Sequence, residues 1–508
     1  MSTPDVIVVG AGSAGCVLAA RLSDDPARQV LLLEAGPDVG PAALPDNLRL
    51  LSRSIEWPWE WGDEVRSGTG RMLHYGRGRG VGGSSGTNGG VCLRPQRVDL
   101  DAWPAGWRWD DMLPHLRALE TDADFGDRPW HGAAGPVPIV RWPEAEWTPM
   151  QAGFVAGCEA AGMVRGDDQN DPDATGVGPV PMNRRGGERW SVRRSHLDPV
   201  RRRPNLTVRP DSHVHRVLVR DGRATGVELV DGTVLGAGHV VLSAGTVQDP
   251  LLLWRSGIGP AATLGVFRDA VPEIVVDLPA VGRNVSDHYV VTAAFEITPS
   301  AAPDEAPSLM TIAQTASGPD RTNDLQFTPF TRRHPDGRRS LTMSVSLQVP
   351  DGDGEVVLAP DRLAGPPDVS WPFTTAPANV ARLREGWRLA ARVAQGSGLL
   401  TRAGELEARQ VLDATDADLD ERVLLEHSAF YHGVGSCRMG ADGDDRVVDT
   451  SCRVLGVDGL SVVDASVIPR VPRAGTNLAA MAVAQRWVAL GEAPDGPPAS
   501  GHADVEPI

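Results

Sequence analysis

The stretch "VIVVGAGSAGCVLAARLS", residues 6–23, constrains this chain more than any other. A short apolar, β-branched run leads into Gly10, Gly12 and Gly15 in G-x-G-x-x-G spacing. A helix-like run of small and apolar residues follows, and then a second buried strand, "QVLLLEAG", ends at Glu34. This order predicts a strand–turn–helix–strand unit that binds a dinucleotide. Gly10 allows the tight turn, Gly12 lets the backbone approach a pyrophosphate, and Gly15 lets the helix pack on the strand. The helix N-terminus supplies amide donors and the positive end of a dipole. Glu34 is placed to accept from a ribose hydroxyl and would repel a 2′-phosphate, which disfavours NADP.

The rest of the composition narrows the class. At 508 residues the chain predicts two domains. A net charge of −17 argues against a nucleic-acid partner. The arginines at 193, 194, 201, 202 and 203 read as a solvated surface. There is no lysine, so Schiff-base and P-loop chemistry are excluded. Five cysteines without a C-x-x-C pair argue against a structural zinc site or a redox dithiol, and no metal is expected. No run approaches the roughly 20 apolar residues of a membrane span. The first strand begins at Asp5, which leaves no room for a signal peptide, so a cytoplasmic location is expected.

Along the chain, residues 40–75 read as irregular, with Trp57, Trp59 and Trp61 taken as loop packing. Residues 76–90 are dense in glycine; Gly78, Gly80 and Gly83 repeat the fingerprint spacing without a clear strand before them. Short strands with D-G turns are predicted over 205–245, a half-exposed strand over 341–349, and an amphipathic helix over 378–396. The tail from about 491 is rich in Pro and Gly and reads as disordered.

"GRGRGVGGSSGTNGG" resembles the first signature of the glucose-methanol-choline (GMC) oxidoreductases, with Gly82, Gly83, Ser84, Ser85, Asn88, Pro95 and Asp101 in register. "GTVQDPLLLWRSGIG" resembles the second, through Gly245, Pro250, Ser256, Gly257 and Gly259. "NVSDH" (284–288), "YHGVGSCRMG" (431–440) and "VVDASVIP" (462–469) match as well. The resemblance implies an α/β GMC fold: a Rossmann-like FAD-binding domain and an α+β substrate domain on a mixed or antiparallel sheet. The segments expected for the FAD domain are 1–150, 190–290 and 425–490. Those for the substrate domain are 151–189 and 291–424, with 491–508 as a flexible tail.

The implied cofactor is FAD. Its expected contacts begin with Gly10, Gly12, Ser13, Ala14, Gly15, Glu34 and Ala35. The second loop adds Gly82, Gly83, Ser84, Ser85, Asn88, Gly89, Gly90 and Val91. Val214 at the adenine end, Ala244, Gly245, Asp464, Ala465, Gly475 and Thr476 complete the set. Thr87 stands where some relatives carry a flavin-linking histidine, which implies non-covalent FAD. Asp249 stands where the second signature has Ser or Thr.

By the same resemblance His432, in H-x-x-G, is the base that takes the hydroxyl proton of an alcohol while a hydride leaves its carbon. An ordinary pKa of about 6.5 suits that task. Relatives place an Asn or His beside this base; here the register gives Gly475, with Asn477 two residues on. Asn477 fills the role through a shifted backbone, a water or substrate group does, or the enzyme works with one base. His288 reads as structural, His427 as a helix or loop residue, and His213 and His215 as strand residues. Gly475, "NGG" at 88–90 and the segment 120–141 are similar to the mycofactocin-associated GMC dehydrogenases. Those are thought to oxidise a reduced peptide-derived carrier and pass electrons to the respiratory chain. The expected function is oxidation of a small alcohol, by a dehydrogenase rather than an oxidase, with oxygen, a quinone or a respiratory carrier as acceptor. A cyanohydrin-type lyase, or a flavin protein without its own turnover, remains the alternative.

Overall fold

Residues 3–51, 59–267, 273–304, 306–357, 368–371, 376–443 and 445–491 are described by a computed structural model of the chain. Trp57 and the predicted tail beyond Gly491 lie outside the described residues. The strand Val6–Val9 runs parallel between Val30–Leu33 and His239–Leu242. Leu206–Arg209 and Leu460–Val462 extend this sheet at its two edges, again in parallel. Strands covered on both faces need continuous apolar runs, and "VIVV" and "VLLL" supply them. The first helix, Ser13–Leu22, packs on these strands and against the terminal helix, Thr476–Ala489.

A second, six-stranded sheet is antiparallel at every pairing. Its order is Ser428–Ala429, Tyr289–Ile297, Arg339–Leu347, Leu325–Arg333, Thr311–Thr315 and Gly176–Pro179. The helix Pro377–Gly396 buries Val380, Leu383 and Trp387 against it, at the place its periodicity predicts. The chain therefore passes between the two sheets several times, and no single cut separates them.

The region 40–75 departs from the irregular reading. Asp63–Ser67 and Met72–Tyr75 form an antiparallel hairpin, so a strand does precede the second glycine run. It escaped hydropathy because two of the three inward residues, Asp63 and Ser67, are polar and buried. The segment 120–141 is held by a buried ion network. His131 bridges Glu120 and Asp168, at 2.7 and 2.9 Å. The Arg141 guanidinium reaches both Asp122 and Asp168, and Arg94 pairs with Glu120. Glu120, Asp122 and His131 offer three metal-ligand types, but the two arginines already balance their charge. Burial alone would raise Asp168, yet the bond from His131 and the charge of Arg141 hold it well below the usual carboxylate range.

Candidate active site

Gly10 adopts φ +100° at the end of the first strand, a conformation that glycine takes readily. A Cβ on Gly15 would stand 1.8 Å from the Gly10 carbonyl oxygen, so the turn and helix close tightly only with glycine there. Glu34 accepts from the amides of Ala11 (2.9 Å) and Gly36 (3.0 Å), which ties the end of the second strand to the fingerprint turn. Burial pushes its carboxyl upward, and these amide bonds oppose that shift. The second glycine loop lies directly on the first: a Cβ on Gly83 would meet Gly12 Cα at 2.8 Å.

These loops border a cavity of about 770 Å³. A Cβ on Gly12 would meet nothing within 4 Å; the bare backbone faces open space, as close approach of a pyrophosphate requires. Ser13, Ala14, Ala35, Ser84, Asn88, Gly89 and Val91 line the same cavity. So do Val214, Ala244, Gly245, Asp464, Ala465, Gly475 and Thr476. Gly15, Gly82, Ser85 and Gly90 do not reach it. Ser85 is spent inside the wall, donating to the Gly82 carbonyl and accepting from the Val192 amide, and Gly90 lies against Leu51. Asp464 accepts from the amides of Gly245 and Ser466 and so fixes both loops. Asp249, fully buried, accepts from Ala244 and Ser466; burial and the neighbouring Asp464 push its carboxyl well above the usual range.

His432, half-buried, lines the same cavity. Tyr431 before it adopts φ +64°, rare for an aromatic residue, and three hydrogen bonds pin the turn. Arg77 donates to the Tyr431 carbonyl (2.6 Å), the His432 amide to Asp287 (2.8 Å) and the Gly433 amide to the Tyr75 hydroxyl (3.0 Å). Burial, then His288 and Arg77, hold the His432 pKa well below its ordinary value, which favours the neutral ring. A Cβ on Gly475 would lie 3.4 Å from His432 Nε2, which places this glycine face to face with the ring. Asn477 lines the same cavity, and its Oδ1 accepts from Ser13 Oγ at 2.8 Å, linking the first and terminal helices.

Other residues went unrecognised in the sequence. Trp61, read as loop packing, lines the cavity and meets His213 edge-on at 5.3 Å. Leu309, Gln326, Thr328 and Phe430 form its wall on the antiparallel-sheet side. Tyr75, Asp287 and His288 hold the turn that carries His432; of these only the N-V-S-D-H motif carried a local signal.

Comparison with known proteins agrees with this architecture. The GMC oxidoreductase N-terminal and C-terminal family profiles match residues 4–290 and 350–484. A GMC-type oxidoreductase of Rhodococcus erythropolis is 35% identical, covering 96% of this chain and 98% of its own. The 5-(hydroxymethyl)furfural oxidase of Methylovorus sp. is 33% identical over 95% and 97% of the two chains. The crystal structure of pyridoxine 4-oxidase from Mesorbium loti superposes with a TM-score of 0.85 at 26% identity, covering 96% of this chain and 99% of that one. The bare Gly12 backbone, the Glu34 carboxylate and the cavity of about 770 Å³ fit FAD, the family's cofactor. With both family profiles matched in order and the relatives aligned nearly end to end, this chain belongs to the FAD-dependent GMC oxidoreductase family.

Proposed function

We propose that this protein oxidises a small alcohol to a carbonyl compound, with His432 as the base. The observation that carries the reading is the placement of His432 Nε2: it lies beside Gly475, and both residues line the cavity that the two glycine loops border. FAD, when bound, supplies the acceptor for the hydride. Gly12, Ser13, Glu34 and the 83–91 loop would hold it, non-covalently because Thr87 cannot form the link that a histidine makes. His432 takes the hydroxyl proton at Nε2 as the carbon gives up its hydride. Leu309, Gln326, Thr328 and Phe430 orient the alcohol with uncharged side chains, which suits a neutral substrate. The segments 151–189 and 291–424 act as the substrate domain; 1–150, 190–290 and 425–490 act as the FAD domain. Electrons then pass to oxygen, a quinone or a respiratory carrier.

Anaerobic mixing with 5-(hydroxymethyl)furfural, pyridoxine, choline and benzyl alcohol tests this, with air admitted afterwards. Bleaching that recovers in air marks an oxidase; bleaching that persists until a quinone is added marks a dehydrogenase. His432→Ala is expected to keep its flavin and lose about 10²- to 10⁴-fold in the rate of flavin reduction. A wild-type rate in that variant, or cleavage of a cyanohydrin with the flavin oxidised throughout, overturns the reading.

A further inference from the structure

Two imidazoles meet nitrogen to nitrogen behind the cavity wall. His288 Nδ1 lies 2.9 Å from His432 Nδ1, with the ring planes 84° apart. One hydrogen occupies that contact, and the far side of His288 decides which ring owns it. His288 Nε2 is 2.8 Å from the carbonyl oxygen of Pro472. A carbonyl only accepts, so Nε2 must carry a hydrogen and donate it. His288 is fully buried, and burial pushes its pKa down to about 4 although the Pro472 and Gln348 carbonyls pull the other way. The ring is therefore neutral, holds its single hydrogen on Nε2, and offers a bare Nδ1. The charged neighbours do not disturb this pattern: Asp287 accepts from the backbone amides of His288 and His432, and Arg77 donates to the Tyr431 carbonyl.

We propose that His288 is a positioning residue that holds His432 in the tautomer with hydrogen on Nδ1 and the lone pair on Nε2, toward Gly475 and the cavity. A cationic His288 would do the reverse and leave an N–H, not a base, facing the alcohol. The idea rests on the role proposed for His432 above, and it concerns which atom is the base. With Gly475 opposite, no protein side chain at that position competes for the Nε2 lone pair.

Nitrogen-15 NMR of the histidine-labelled holoenzyme reads the tautomer directly, with the His432 signals assigned by their loss in His432→Gln. The expected result near neutral pH is a protonated, pyrrole-type Nδ1 and an unprotonated, pyridine-type Nε2. A proton on Nε2 overturns the proposal. In kinetics with 5-(hydroxymethyl)furfural, or whichever alcohol of the panel reduces the wild-type flavin, His288→Leu is expected to lose about 10- to 100-fold in flavin reduction. FAD content and KM should change little, and His288→Asn, whose amide oxygen accepts from Nδ1, should restore most of the rate. A His288→Leu enzyme that binds FAD and reduces it at the wild-type rate removes the positioning role; if that variant does not fold, the wild-type spectrum still decides. Failure of the base itself is separate: His432→Ala would then reduce its flavin normally while the wild-type tautomer stood.

Discussion

At Gly475 the backbone is ordinary, φ −60° and ψ 142°, so conformation does not demand glycine. Space does. A methyl group there fits in van der Waals contact with His432 Nε2, and it would occupy room that an alcohol oxygen needs. Gly475→Ala is expected to keep its fold and FAD while flavin reduction falls about 10-fold or more. An unchanged rate would mean that the alcohol reaches Nε2 from another side. Asp287 makes a second prediction at this scale. Burial pushes its carboxyl up to about 7, against the bonds from His432, Tyr75 and His288. The folded protein thus keeps a proton that the unfolded chain releases near pH 4. That contribution is fully present below about pH 4 and is lost as pH rises through about 7. Melting temperatures of wild type should therefore decline relative to Asp287→Asn between about pH 4 and pH 8; parallel curves would show that the group titrates alike in both states.

Among the elements, the segment 120–141 depends on ions rather than on apolar area. The buried Asp168 accepts from His131, Arg141 and the Asn170 amide beneath the surface, and from the half-buried Arg128 and Trp130. Asp168→Ala takes one carboxylate from Arg141 and His131, which keep Asp122 and Glu120, and leaves Arg128 without its ion-pair partner. It is expected to cost about 3–5 kcal/mol, read from denaturant midpoints; a loss below about 1 kcal/mol would show that the network relaxes or rehydrates. This network also marks the limit of sequence reading. The fingerprint strands, the 205–245 strands and the helix from 377 were legible because their periodicity is local. The 63–75 hairpin was not, since it turns Asp63 and Ser67 inward. His288 read as structural because the ring it touches lies 144 positions away. Asn477 sits two residues from the expected partner position, and its bond to Ser13, 464 positions away, leaves no local signal.

For the whole molecule, the cavity brings together segments from Val9 to Ala480 with residues of both sheets, so bound FAD would tie them together. At FAD a thousand-fold above its Kd, holoenzyme should be more stable than apoprotein by about 4 kcal/mol. Calorimetry of the stripped and reloaded protein checks this, and acid precipitation should release the yellow cofactor intact. Flavin that stays with the precipitate would contradict non-covalent binding. Among the described residues no helix is long and apolar enough to cross a membrane.

The hydrogen bond from Ser13 to Asn477 spans 464 positions of sequence. A ribosome adding 5–20 residues per second needs roughly 20–90 s between making those two residues. Through that interval the nascent chain carries the glycine turn without the helix that backs it, and once Leu242 is made it carries four parallel strands without their edge at Leu460–Val462. The cradle for FAD is therefore complete only after the 460–480 segment has been made, and loading is expected to follow that point.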